Sequence, residues 1–208
     1  MTDLHPLITV AALNMAAAMS PGPAFVLVTK TAASSRRDVA LSTAAGTALA
    51  SVTWAVAAVL GLQLVLAKAA AAYRTFEIFG GFCLGYVGWQ IFRHARSPLP
   101  QFQAAQTGRA MGFRKGLLLG LSNPKVIVFF GTIFAALFTP QTPVALRWLA
   151  VAVVMVNETV WYVTLATAFG AAPVRQTYLR IKAPAERVFG GVLGFFGARL
   201  VWTGLRTT

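Results

Sequence analysis

The 208-residue chain reads as an all-α membrane protein of six transmembrane helices, arranged as a 3+3 inverted-topology repeat with both termini outside. Three observations predict this. The residues are 57% hydrophobic and only 11% charged, where a soluble domain carries about 25% charged residues. Six apolar runs are long enough to cross a hydrocarbon core about 30 Å thick. Two of those runs, one in each half, are interrupted by proline, at Met19-Ser20-Pro21-Gly22-Pro23-Ala24-Phe25 and at Leu121-Ser122-Asn123-Pro124-Lys125-Val126.

The first span is placed at 7–29 and carries the first proline break. The tail Met1–Pro6 before it lacks the positive charge of a signal peptide, and the run exceeds a signal h-region, so it is expected to persist as a membrane helix. The second span falls at 41–66 and the third, shorter, at 76–92. A basic connection at 93–115, the longest in the chain, contains Ser97-Pro98-Leu99-Pro100 and separates repeat halves 1–95 and 110–208 within one transmembrane domain, 1–208. The fourth span, 116–138, carries the second break; the fifth lies at 148–172 and the sixth at 188–205.

Loop charge sets the direction of insertion. The net charge is +13, from 18 Lys and Arg against 5 Asp and Glu. Loops 1–2, 3–4 and 5–6 hold twelve of the basic residues, among them Arg36, Arg37, Lys115, Arg175, Arg180, Lys182 and Arg187, whereas the alternate set holds four: Lys68, Arg74, Arg147 and Arg206. The positive-inside rule puts the three basic loops in the cytoplasm. Because these charges sit in short loops between apolar runs, no soluble face remains to bind nucleic acid.

Three spans per half is an odd number, so the second half enters from the opposite face. Similarity between the halves supports duplication: Phe79-Gly80-Gly81 leads to Gly85 and Gly88, as Phe189-Gly190-Gly191 leads to Gly194 and Gly197. Gly81 and Gly85, Gly116 and Gly120, and Gly190 and Gly194 are each four apart on one helix face, where small residues let helices approach closely. Tight packing within the monomer is the expected use, with a homodimer interface as the other.

Helix-interior proline removes a hydrogen bond, and in lipid the freed groups need a protein-enclosed or watery lining. At 1.5 Å per residue, Pro21 lies about 21 Å from the outer end of span one and Pro124 about 13 Å from the inner end of span four, so both breaks fall near mid-membrane. Half-helices that start there offer N–H groups to a carboxylate, and those that end there offer carbonyls to an ammonium group. One pocket with both characters suits a zwitterion; the other reading is a pair of structural kinks.

Glu158, Lys125 and Arg199 are the ionisable residues within spans, where charge is costly and usually faces the bundle interior. Glu158 is read as a site for a substrate ammonium or a proton, against a structural ion pair. Lys125 is read as a carboxylate contact or as the partner of Glu158, and Arg199 as structurally paired, with snorkelling outward as its other course. Trp161 and Tyr162 lie within a turn of Glu158 and either wall a pocket or pack the core. Trp89 and Trp202 read as interfacial belt residues, while Trp54 lies inside a span.

Other chemistries find little support. Cys83 is the single cysteine, His5 and His94 lie in a tail and a loop, and no histidine lies in a span to act as a general base. No metal site and no cofactor are expected, and no Walker loop is present to use ATP directly.

In order along the chain, Met19-Ser20-Pro21-Gly22-Pro23, the Arg36-Arg37 loop, Gly46, Gly61, Lys115-Gly116-Leu117-Leu118, Ser122-Asn123-Pro124-Lys125, Asn157-Glu158-Thr159-Val160-Trp161 and Gly194-Phe195-Phe196-Gly197-Ala198-Arg199-Leu200 resemble the LysE/RhtB amino-acid exporters, most closely their threonine and homoserine branch. The resemblance implies a six-helix LysE-type fold in the bacterial cytoplasmic membrane and export of an amino acid driven by an ion gradient. It assigns family motif positions to Pro21, Gly22, Pro23, Asn123, Pro124 and Lys125, with Glu158 as the acidic position of span five. Members of the threonine-type branch often carry an acid after Pro-Gly-Pro, where this chain has Ala24. The expected partners are therefore a small neutral amino acid, protons and the lipid bilayer. Proton antiport through Glu158 is the leading reading. A divalent-metal exporter of the same superfamily and a non-transporting membrane assembly factor are the alternatives.

Overall fold

A computed structural model of the protein describes residues 4–68, 70–96, 108–139, 141–169 and 171–206, so Ser97-Pro98-Leu99-Pro100 lies outside the described residues. Eight helices follow one another: α1 His5–Met19, α2 Pro23–Ser34, α3 Arg37–Lys68, α4 Ala70–Arg93, α5 Arg109–Leu121, α6 Pro124–Leu137, α7 Val144–Ala168 and α8 Ala172–Arg206. No strand occurs among the described residues. Helices are what a bilayer demands, since each satisfies its backbone polar groups within its own segment.

Two helix pairs are single apolar stretches bent at a break. α1 meets α2 at 58°, and α5 meets α6 at 55°. The cause is local: the residue before a proline is pushed out of the helical region. Ser20 before Pro21 has ψ 122°, Gly22 before Pro23 has ψ −173°, and Asn123 before Pro124 has ψ 108°. Pro23 and Pro124 then open the next helix at its first position, where a missing N–H is harmless. Pro23, rather than Pro21, is thus the structural counterpart of Pro124.

Among the described residues three helices are long and apolar enough to cross a membrane, and counting each bent pair as one span raises the number to five. α4 occupies the place of the predicted third span, with residues 70–77 described as backbone only. α8 departs from expectation. The predicted loop 5–6 residues Arg175, Arg180, Lys182 and Arg187 are helical, and the helix begins sixteen residues before the predicted start at 188. An ion pair between Lys182 and Glu186, at 3.0 Å and one turn apart, supports this segment across Pro184.

Glycine lets the helices meet backbone to backbone. α4 and α8 form the most extensive pair in the bundle. A Cβ on Gly81 would come 2.7 Å from the Gly197 carbonyl, and one on Gly197 would come 2.6 Å from the Gly81 carbonyl. Gly88 and Gly190 repeat this reciprocity at 2.6 and 2.5 Å, while a Cβ on Gly85 or Gly194 would meet nothing. The close contacts therefore use a seven-residue spacing, not the four-residue one expected for these two helices. In the α3–α5 pair both glycines of the expected four-residue spacing are in close contact: Gly116 abuts the Thr43 carbonyl, and a Cβ on Gly120 would lie 2.5 Å from the Ala50 Cβ.

The interior consists of two apolar clusters. One runs through α1, α3, α4, α6, α7 and α8 around Phe129, Phe130 and Phe134 of α6 and Phe138 just past its end. The other joins α2, α3 and α7 around Phe25, Tyr162, Leu165 and Phe169. The outer surface is apolar too, with Phe79, Val188 and Phe195 among the most exposed residues, as a lipid-facing surface requires. Trp89 and Trp202 are exposed at the ends of α4 and α8, beneath Arg93 at 5.1 Å and Arg206 at 3.9 Å, in keeping with their belt assignment.

Candidate functional site

A cavity of about 30 Å³ lies between the two clusters, at the level of both breaks. Its wall combines Asn14, Ala17, Ala18 and Ser20 from the end of α1, Gly22, Ala24 and Phe25 from the start of α2, Ser51 from α3, Asn123, Lys125 and phenylalanines from the start of α6, and Glu158 and Tyr162 from α7. Such a volume admits about two water molecules.

Glu158 reaches this space because it sits midway along α7, and it is only 3% exposed. Asn14 Nδ2 donates to Glu158 Oε1 at 2.8 Å. One position before it, Asn157 Nδ2 donates to the Ala11 carbonyl at 2.9 Å, so adjacent residues of α7 hold α1 at two levels. Glu158 Oε2, Asn14 Oδ1 and Ser20 Oγ are all buried without a hydrogen-bond partner. Buried polar groups are nearly always satisfied, so three unsatisfied atoms around one cavity mark it as a place where something else binds.

Lys125 lies in the first turn of α6, and its ammonium donates to the carbonyls of Ala17 at 3.1 Å and Ser20 at 3.3 Å. A cation here neutralises the negative end of α1 and occupies the Ser20 carbonyl left open by the break. The ammonium also stands 5.6 Å from the centre of the Phe189 ring. Lys125 and Glu158 share the chamber but form no direct ion pair, which removes the reading of Lys125 as the immediate partner of Glu158. At the other break, Trp54 Nε1 donates to the Leu121 carbonyl at 3.2 Å and so serves the end of α5.

The two helix starts differ. Asn123 caps α6 by accepting from the Lys125 N–H at 3.1 Å, and its carbonyl takes the N–H groups of Val126 and Ile127. The expected anion site at the start of α6 is therefore filled by the protein itself. Gly22 offers α2 no side-chain cap, and among the described residues the Ala24 N–H has no acceptor. An anion would meet its open helix start at α2.

Of the sequence-predicted site residues, Gly22, Asn123, Lys125, Glu158 and Tyr162 line the cavity. Pro21 instead faces a separate gap between α1 and α8, and Pro23 acts as a helix opener outside the lining. Pro124 holds the same opening position, its side chain lying outside the described residues. Trp161 does not reach the cavity; it stacks on Phe25 at 6.4 Å because it projects from α7 one residue away from the Tyr162 face. Arg199 is exposed on α8, and among the described residues it forms no ion pair with a carboxylate. Sequence reasoning missed Asn14 as a site residue, although a lone amide within an apolar run is the signal that would have found it.

The LysE type translocator family model matches residues 15–204. The chain is 33% identical to the threonine efflux protein of Escherichia coli K12 over 200 residues, covering 93% of this chain and 96% of the relative. It is equally similar to the threonine efflux protein of Salmonella typhi, at 33% over 199 residues, with the same two shares covered. The uncharacterized membrane protein YahN of Escherichia coli K12 is 29% identical over 209 residues, covering 99% of this chain and 93% of the relative. No solved structure matches the chain.

Proposed function

This chain belongs to the LysE type translocators, and from that premise we propose that it exports a small neutral amino acid, threonine- or homoserine-like, across the bacterial cytoplasmic membrane by proton antiport. The observation that carries the proposal is the cavity between the breaks. It brings one buried carboxylate, one half-buried ammonium and three unsatisfied polar atoms to a single chamber. The ammonium of a zwitterion would take the place beside Glu158, and its carboxylate the place between Lys125 and the Ala24 N–H. One acid balances one base, so a substrate with a charged side chain would leave a net charge in a dry interior.

A chamber that admits about two waters must widen to accept an amino acid. This arrangement is read as the closed member of an alternating cycle. Protonation of Glu158 from outside would release the substrate ammonium, and deprotonation toward the cytoplasm would restore its place.

The inverted repeat belongs to the same proposal. Its support is the reciprocity of the glycine contacts: exchanging Gly81 with Gly190 and Gly88 with Gly197, each 109 residues apart, turns one contact into the other. Both bent pairs have nearly equal angles and open their second helix with proline. The halves 1–95 and 110–208 form one transmembrane domain, and the twelve-to-four bias of basic residues directs both termini outside.

Counterflow of labelled threonine in proteoliposomes tests the function. Accumulation against unlabelled internal threonine, driven harder by an imposed pH gradient, is expected. Absence of counterflow with every neutral amino acid, in a protein that is folded and correctly inserted, would overturn it.

A further inference from the structure

We propose that the gap between α1 and α8 is the cytoplasmic vestibule through which the amino acid reaches the central cavity, with the ring of Phe189 as the gate between them. The inference rests on the export reading above.

The gap measures about 580 Å³, far larger than the cavity it adjoins. Ser20 lines both spaces, and Phe189 lines the gap while its ring covers the Lys125 ammonium at 5.6 Å. One aromatic side chain and the end of α1 therefore form the partition. α4 packs directly on α6, whereas among the described residues α8 makes no comparable approach to α2, its counterpart under the repeat. Among the described residues α1 and α8 make no extensive approach to one another, and the gap lies between them.

The polar groups of the gap repeat those of the cavity. Lys182 and Glu186, 9% and 7% exposed, form a 3.0 Å pair on its wall, and Lys182 also donates to the Ala95 carbonyl at 3.0 Å at the end of α4. An electroneutral pair offers each end of a zwitterion a partner without trapping a net charge. The remaining lining, including Leu13, Ala16, Ile181 and Val192, is apolar and adds little affinity, as a passage rather than a storage site requires. Arg180 and Arg187 flank this stretch of α8, which places it on the cytoplasmic side under the positive-inside rule. Pro184 lies between Lys182 and Glu186 and frees the Arg180 carbonyl, a weak point about which the start of α8 can swing.

Ala16→Cys and Val192→Cys, each in a Cys83→Ser background, test the vestibule with a membrane-impermeant anionic thiosulfonate applied to everted and right-side-out vesicles. Both cysteines are expected to react in everted vesicles, and threonine at ten times its half-saturating level is expected to slow the reaction about tenfold. The proposal fails if both react only with a permeant maleimide, which would mean a gap filled by lipid chains. It fails equally if they react from the outer face alone, or without protection. Thermal melts establish that each variant folds. Counterflow by the Cys83→Ser parent reports separately on export: transport without reactive cysteines defeats the vestibule alone, and reactive cysteines without transport defeat the export reading.

Discussion

Asn14 and Glu158, separated by 144 residues, share a 2.8 Å hydrogen bond that joins α1 to α7 at the wall of the central cavity. The bond lets the protein hold a carboxylate deep in a bundle without a direct ion pair, and it ties the first bent pair to the second half of the chain.

Removing this donor leaves Glu158 Oε1 buried and unsatisfied. Asn14→Ala is expected to cost about 1–3 kcal/mol of stability, the usual penalty for orphaning a buried polar group. A lowered midpoint in thermal unfolding of the detergent-solubilised protein checks this, and Asn157→Ala, which frees only the Ala11 carbonyl, should lower it less.

Glu158→Gln keeps the shape and can still accept from Asn14, so the variant should fold. It cannot exchange a proton, and transport driven by a pH gradient is expected to fall about tenfold or more. Normal gradient-driven transport by this variant would show that Glu158 has no part in coupling.

Lys125→Met takes the cation from the end of α1 and leaves the Ala17 and Ser20 carbonyls without it. Loss of about 1–2 kcal/mol is expected from the helix end and the orphaned Ser20 carbonyl, since the Ala17 carbonyl keeps the Ser20 N–H. Threonine should also cease to raise the melting temperature. If Lys125→Met melts lower yet is still stabilised by threonine, the lysine is a helix cap and no part of the binding site.

The glycine contacts separate two spacings. Gly81→Ala would force a methyl group against the Gly197 carbonyl and should sharply reduce the yield of monodisperse protein by size-exclusion chromatography. Gly85→Ala enters open space and should be tolerated. Equal loss from both would mean that the seven-residue register of the α4–α8 pair is mistaken.

Much of this architecture was legible because bilayer physics acts on single residues. The breaks could be read from Pro21, Pro23 and Pro124, since each restricts the residue before it. Glu158 and Lys125 stood out because charge is rare inside apolar runs. Which groups touch was not legible. Nothing local says that Lys125 reaches back to α1, that Asn123 fills the start of α6 with its own side chain, or that Asn14 meets Glu158 across 144 residues. The start of α8 was misplaced for a related reason. Its basic residues read as a loop, while the Lys182–Glu186 pair that holds the turn together depends on burial against the bundle.

The glycine seam between α4 and α8 has a mechanical consequence. Main chains pressed together at Gly81, Gly88, Gly190 and Gly197 cannot slide or roll without collision, so these two helices act as a rigid keel. Any rocking that opens one face of the bilayer and shuts the other must then be carried by the jointed helices α1–α2 and α5–α6, whose proline hinges are already bent and need only change their angle.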